Sequence, residues 1–512
     1  MKNRELLHVS LDDPKYGGGQ FIGKLFTEGL GRMPDPAGYR KCQEQILEEL
    51  CTKETLGKIA KRIFMSPEYE ALKLCPRRQA ITLYRAILNR DPSYEEVLAT
   101  AEQIGAQGSV ARALTPLFET EEFDKLLPEI IRGPYHFNGA NHGYSLSGRI
   151  YTAEELMRML EAAEHEVLLE PGDLVLANVP IFIPNGRKLS TRGGYNTHYL
   201  KMARIIRTGM YNKGVVNMLD GSSCEGIWVD GNRPEFGDRC LRIRRGVCIG
   251  VDGNGSSICG NRLTDSIGGT SLEVYAVHDT TIRDNLITCY ASKHFKSFWC
   301  DGATIHGTGT LIERNGIVDA TDVSVVIFYF KPGDPQNSIC RDNTFINIGN
   351  SAFGGINADG WLDYDHDWDF TGCEFTNNVF WTSYKAHQHI CLSFATFAWM
   401  RQTGNFCLNA KMNNNTTPEG LFVLTGAGIA VDGQKNCEVQ GNAIDVYLGP
   451  WTNPEIGLTE PQAICVNLKT STGNVQGPIA DVPMFVKDKG FIHGPWHEPF
   501  EDVVLEKVSI GK

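Results

Sequence analysis

Two aspartates that each open a short apolar run are the first place where this sequence could do chemistry. Asp301 precedes the run at residues 303–305, and Asp322 precedes the run at 323–330. If those runs are strands on consecutive turns of a repeating fold, the carboxylates stand side by side, and general acid–base cleavage of a glycosidic bond requires such a pair. His306 and Asp319 lie in the same stretch, within Trp299-Cys300-Asp301-Gly302-Ala303-Thr304-Ile305-His306-Gly307 and Asp319-Ala320-Thr321-Asp322, and complete the candidate catalytic set. The competing reading makes both Asp301 and Asp322 turn residues, because Asp side chains close bends readily.

Acids and aromatics alternate in Asp359-Gly360-Trp361-Leu362-Asp363-Tyr364-Asp365-His366-Asp367-Trp368-Asp369. An extended chain there puts Asp363, Asp365, Asp367 and Asp369 on one face and Tyr364, His366 and Trp368 on the other. The carboxylates could then hold a cation and the rings a sugar. With Glu374, the spacing approaches that of an EF-hand loop, but Trp368 stands where the turn glycine belongs and flanking helices are missing. A looser Ca2+ site at Asp363, Asp365 and Asp367 is therefore the metal candidate, against a solvated acidic loop over buried aromatics. No other cofactor is called for. Candidate substrate contacts are Trp299, Arg244, Lys293, Tyr364 and Trp368. Arg239, Arg242, Arg245, His294 and Lys296 surround them with positive charge, suited to a uronate or sulfated sugar. Alternate members of Arg242-Ile243-Arg244 would equally face solvent on a half-buried strand. His387-Gln388-His389 offers two imidazoles on one strand face, without a third zinc ligand nearby.

The elements that must position these residues announce themselves by repetition. The pattern apolar-x-x-Asn-x-apolar occurs at Ile258–Leu263, Ile282–Ile287, Ile312–Ile317, Cys340–Phe345, Phe375–Phe380 and Val439–Ile444, with Asn261, Asn285, Asn315, Asn343, Asn378 and Asn442 at its centre. Most copies are separated by about the length of one three-strand coil, and one longer gap has room for an extra coil. A coil cannot bury its apolar face alone, so coils stack, and an Asn at one fixed turn tolerates left-handed geometry and bonds its neighbours' backbone.

Upstream, residues 20–130 carry apolar positions at helical spacing, and one pattern occurs twice. Leu25-Phe26-Thr27-Glu28-Gly29-Leu30-Gly31-Arg32-Met33-Pro34-Asp35 matches Leu83-Tyr84-Arg85-Ala86-Ile87-Leu88-Asn89-Arg90-Asp91-Pro92-Ser93. Each copy precedes a Ser/Thr-x-Glu-aromatic segment, Ser66-Pro67-Glu68-Tyr69 and Thr120-Glu121-Glu122-Phe123. Gly133-Pro134 and Asn138-Gly139 then suggest a linker, and Thr152 with Glu155 forms a capping box opening a helix that closes the solenoid's end.

Composition sets outer limits. The net charge of −12 with an isoelectric point near 5.6 disfavours nucleic-acid and membrane-surface partners. No apolar stretch reaches membrane-spanning length, and the N-terminus lacks a signal-peptide core, which leads to an expectation of a cytoplasmic protein, with export by another route left open. Fifty-four glycines imply many tight turns. The fifteen cysteines, without CxxC pairs, read as small buried apolar side chains.

Two resemblances follow from these motifs. Gly31-Arg32-Met33-Pro34-Asp35-Pro36-Ala37-Gly38 is similar to the core of a bacterial helical domain of unknown function found beside glycosyltransferases, methyltransferases and secreted repeat proteins; the second copy is degenerate. That resemblance implies a docking or targeting module, or a packing domain with no ligand. The Asn-centred coils resemble the pectin-lyase-like right-handed parallel β-helix superfamily over about residues 165–480, which holds polysaccharide lyases, glycoside hydrolases, uronate epimerases and phage tailspikes. Gly302 to Asp322 faintly resembles polygalacturonases, but the adjacent Asp-Asp pair is missing and Ile305 precedes His306. The Tyr-Gly-x-Asp-Pro-His-Asp signature of mannuronan epimerases is absent too, so catalytic roles do not transfer. The expectation is a mainly β chain. A small all-α domain with two degenerate repeats occupies residues 1–132, a linker and capping helix 133–165, a right-handed parallel β-helix 166–490 and a tail 491–512. Its partner would be a poly- or oligosaccharide in a groove, cleaved by a lyase or hydrolase mechanism or only bound; a homo-oligomer would cover an exposed solenoid end.

Overall fold

The computed structural model describes residues 5–107, 109–135, 143–243, 245–290, 300–328, 335–360, 367–395, 406–452, 458–466, 473–475 and 503–511. Among these, three parallel sheets of nine, ten and eleven strands run the length of a solenoid. A typical coil places Ser257–Cys259 in the eleven-stranded sheet, Arg262–Thr264 in the nine-stranded sheet and Thr270–Val274 in the ten-stranded sheet. The next coil repeats the order with Thr281–Arg283, Leu286–Thr288 and Asp301–Ile305. Register is strict: Ile258 pairs with Ile282, Ile282 with Ile312 and Ile312 with Cys340. These columns of like side chains fill the interior, as they must when each coil buries its apolar face only against its neighbours. The architecture is the parallel β-helix expected from the repeats.

The recurring turn is held by an amide ladder. Each Asn side-chain oxygen accepts both the backbone N–H and the side-chain N–H of the preceding Asn, running from Asn261 through Asn285, Asn315, Asn343, Asn378 and Asn415 to Asn442 at 2.9–3.1 Å. Asn415 fills the long gap in the pattern. Left-handed geometry falls one residue before the ladder, at Gly260, Asp284, Arg314, Asp342, Asn377, Asn414 and Gly441, with φ between 54° and 69°, not at the Asn as the sequence reading had it. That turn aims the following amide inward, where every donor and acceptor has a coil above or below to meet it.

The helical region is welded to the outer face of the nine-stranded sheet. Phe21, Leu25, Tyr39 and Leu83 share one apolar cluster with Val318, Ile346 and Trp381. Its two repeats make equivalent contacts. Leu25–Leu30 and Tyr84–Leu88 are π-helical turns ended by left-handed Gly31 and Asn89. Arg32 then forks onto Glu68, and Arg90 onto Glu122. Ser66 and Thr120 cap the helices that carry those glutamates. Charges are buried at the junction. Glu28 accepts from Arg85 Nε at 2.8 Å and Arg262 Nη2 at 2.6 Å. Burial works to raise the Glu28 pKa, but Arg85 and Arg262 more than offset it and hold it far below the carboxylate range. Lys385 from the solenoid donates to the carbonyls of Leu11, Asp13 and Ile131 at 2.6–2.8 Å, fastening the N-terminal segment and the end of helix Glu121–Arg132.

Thr152 and Glu155 form the expected capping box on helix Ala153–Ala162, whose Leu156 and Leu160 seal the first coils. At the other end, the expected tail contributes strand Val503–Ile510, which lies antiparallel between Ile444–Leu448 and Leu6–Val9 and so joins both chain ends in one sheet. All fifteen cysteines are free and all but Cys75 are buried. Among the described residues no helix is long and apolar enough to cross a membrane.

Asn343→Ala removes the acceptor for two Asn315 donors together with its own bond to Ile312, so it should cost about 3 kcal/mol in denaturant unfolding. Asp342→Asn, one residue earlier, should lie within about 0.5 kcal/mol of the parent, because Asn occupies the equivalent left-handed positions 377 and 414. Glu28→Gln, which leaves two buried guanidinium groups short of a charge, should cost about 3–5 kcal/mol in the same measurement.

Candidate active site

Asp301 begins strand Asp301–Ile305 of the ten-stranded sheet, and Asp322 immediately precedes the neighbouring strand Val323–Phe328. The parallel register brings the two aspartates together. Asp301 Oδ1 accepts the Val323 N–H at 3.0 Å, and Oδ2 accepts the Thr304 hydroxyl at 2.6 Å. Asp301 is 8% exposed, whereas Asp322 keeps partial access to solvent. One coil earlier, Glu273 pairs in register with Thr304 and is bound by Arg245 at 2.7 Å. No cation is paired with Asp301 or Asp322 among the described residues.

Electrostatics separates this pair from ordinary surface acids. Burial pushes the Asp301 carboxyl up to about 7, with Glu273 adding to the rise while the Thr304 and Val323 bonds oppose it. Asp322 is raised well above the usual carboxylate range by withdrawal from water and by the Asp301 charge. The two cannot both ionise cheaply at neutral pH, so they titrate as a coupled unit that gives up its protons at higher pH than ordinary carboxyls do. Such a pair can supply a general acid and a general base at once.

The other expected catalytic residues do not join it. His306 follows the same strand about 16 Å further on, given the strand rise per residue. Its ring stacks on Phe328 at 4.8 Å and meets the edge of Tyr275 at 5.6 Å, and burial, helped by Arg245, lowers its pKa to about 4. Asp319 is fully buried on the docking side, where it accepts Gln20 Nε2 at 2.8 Å and the N–H groups of Ile348 and Gly349 at 2.7 and 3.0 Å. Its carboxylate therefore fastens the helical region and does not reach the pair. Trp368 is fully enclosed in the solenoid core and offers no platform to a sugar; it closes over Gly360, where a Cβ would lie 2.3 Å from its ring.

Trp299, Lys293, Tyr364, Asp363, Asp365 and Arg244 lie outside the described residues. Asp367 accepts the Phe406 N–H at 2.9 Å, and Asp369 closes the turn at Thr371. Both acids serve the backbone, and among the described residues no group of three or more His, Cys, Asp or Glu is placed to hold a metal. Arg239 bonds the carbonyls of Phe236 and Glu235, so it closes a turn. His387 and His389 are buried, the former stacked on Trp451 at 3.9 Å and the latter on Phe353 at 5.8 Å. Sequence reasoning passed over Thr304 and Glu273. The signal for both was their shared outward position on consecutive strands.

No family model and no curated protein matches the chain. Solved structures similar to it include the Dettilon tailspike protein, at 14% identity and a TM-score of 0.36, over 62% of this chain and 66% of that one. The pre-mature gene product 12 of bacteriophage phi29 aligns at 13% identity and a TM-score of 0.37, over 64% and 48%. The catalytic unit of a thermostable GH87 α-1,3-glucanase from Streptomyces thermodiastaticus aligns at 12% and 0.35, over 69% and 72%. The chain thus spans just under two thirds of the first protein's length and about half of the second's. The stacked parallel sheets themselves give the fold, a three-sheet parallel β-helix.

The raised Asp301 pKa has a thermodynamic consequence. Its folded value lies above its unfolded value, so the stability it contributes is complete below pH 3.8 and is lost as pH rises through about 7. Taken alone, Asp301 favours the folded chain more near pH 5 than near pH 8, against the buried His198, His306 and His389, whose lowered pKa values act in the opposite direction. Asp301→Asn should flatten that dependence and raise stability at pH 8 by about 2–4 kcal/mol, read from denaturant melts at both pH values.

Proposed function

We propose that this chain hydrolyses a polysaccharide laid across the ten-stranded sheet, with Asp301 and Asp322 as the acid–base pair. The observation that carries this reading is the pair itself: adjacent, with Asp301 buried and Asp322 still partly open to solvent, and without a paired cation among the described residues. A like-charged pair lowers stability, and such strain persists where function uses it. In the reaction, the carboxyl that keeps the proton donates it to the glycosidic oxygen as the C–O bond breaks. The ionised partner takes a proton from the water that adds to the sugar carbon, leaving two chains and a regenerated pair. Glu273, although held by Arg245, adds negative potential that raises the Asp301 pKa and favours keeping a proton there.

A second reading, a non-catalytic solenoid with a glycan-binding or structural role, is favoured by one observation. Next to the pair, the outward positions of the same sheet are apolar and buried, as at Val323, Val326, Phe328, Ile390 and Ala430. They do not form the open polar groove that a long polymer would occupy.

Purified protein should be incubated with uronate-containing and neutral polysaccharides while new reducing ends and unsaturated products are followed together. Hydrolysis predicts reducing ends without unsaturated product, with kcat lowered about 100-fold or more in Asp301→Asn and Asp322→Asn. Unsaturated product, or variants as active as the parent, would contradict the assignment. Binding without turnover in parent and variants alike would favour the second reading.

A further inference from the structure

Where the helical region meets the solenoid, the junction stays open at one edge. A cleft of about 380 Å³ remains there, walled by Arg32 and Glu68 on the helical side and by Asp284 and Arg314 on the solenoid side. Its volume falls in the range of small-ligand sites, which recur where two structural units meet. We infer that this cleft binds a neutral sugar unit of a glycan, at a site separate from the Asp301–Asp322 pair.

The walls are cross-linked by ion pairs. Arg32 holds Glu68 through Nε and Nη2 and gives Nη1 to the Met33 carbonyl. Arg314 holds Asp284 at 2.8 and 3.1 Å, and Tyr195 donates to the same carboxylate. Glycines let side chains lie flat on the backbone: a Cβ at Gly316 would lie 2.2 Å from Met33, and one at Gly260 would lie 2.3 Å from the Tyr195 ring. Such preorganisation lowers the ordering cost of binding.

The chemistry selects the ligand class. An anion finds each wall guanidinium already neutralised by a carboxylate, and a cation finds each wall carboxylate already held by an arginine. A purely apolar ligand would desolvate both ion pairs without replacing their water. A polyol meets neither obstacle, because a hydroxyl both donates and accepts. Bidentate pairs leave carboxylate lone pairs free. Arg262, 1% exposed and lining the same cleft, gives one N–H group to Glu28 while its Nε and Nη1 have no hydrogen-bond partner. Leu30, Met33 and Leu286 add apolar surface for the C–H face of a ring.

The test uses the full chain. Saturation-transfer NMR and calorimetry with D-glucose, D-galactose and N-acetyl-D-glucosamine would run beside D-galacturonate and inorganic phosphate. At least one neutral sugar should bind in preference to both anions. Binding should weaken about tenfold or more in Arg314→Asn, a change that keeps the left-handed turn in which Asn stands at 377 and 414, with an unchanged melting temperature. Glu68→Gln should weaken it likewise, and Asp301→Asn should leave it intact. Absence of binding by every neutral sugar at millimolar concentration would overturn the proposal. So would preference for galacturonate or phosphate, or loss of binding in Asp301→Asn in place of Arg314→Asn.

Discussion

From Asn261 to Asn442, each later ladder amide accepts, through its side-chain oxygen, both the backbone and a side-chain N–H of the amide before it, and this chain of mutual satisfaction fixes the register of the solenoid. Slipping one coil by a residue would break both bonds and turn an apolar column outward, since strand side chains alternate. The ladder therefore does what a covalent staple would do, but spread over seven turns. Everything positioned by the sheets inherits that register. Asp301 meets Asp322 because strand Asp301–Ile305 lies in step with Val323–Phe328, and Glu273 meets Thr304 for the same reason.

The helical region depends on the same frame. Its apolar face is completed by the outer side of the nine-stranded sheet, and its buried Glu28 is neutralised by Arg262, a residue one step beyond the first ladder Asn. The repeat within it arranges each half alike, an arginine after a left-handed turn forking onto a glutamate in a capped helix. Its docking partner is the solenoid of its own chain. The solenoid interior is filled by its own strands and capping helix, whereas the core of the helical region is completed by the outer side of the nine-stranded sheet, so that region depends on the coils it covers.

Periodicity carried most of the fold. Asn261, Asn285 and the later copies stood out because one residue type recurs at one turn, and the gap at residue 415 was left open only because Thr417 replaces the final apolar residue of the pattern. Tertiary partners were harder to read. Asp319 and Asp322 sit three residues apart, yet one turns toward Gln20 and the other toward Asp301, a distinction made by the path of the chain between two sheets. The alternation around Trp368 suggested an exposed strand, but a tryptophan that covers the end of a core column is indistinguishable in sequence from one that stacks on sugar. The ion network through Glu28, Arg85, Asp91 and Arg204 joins residues far apart in sequence, and no local pattern marks it.

A solenoid stabilised by columns of matched neighbours has every reason to avoid two acids in adjacent positions of one sheet. That it keeps them, with backbone and hydroxyl donors aimed at Asp301, is the central point of the account. Carbon-13 NMR titration of the aspartate side-chain carboxyls tests it most directly. The account predicts one carboxyl still protonated near pH 7 in the parent, with its signal lost or shifted in both Asp301→Asn and Asp322→Asn. Ionisation of every aspartate by pH 5 would contradict it.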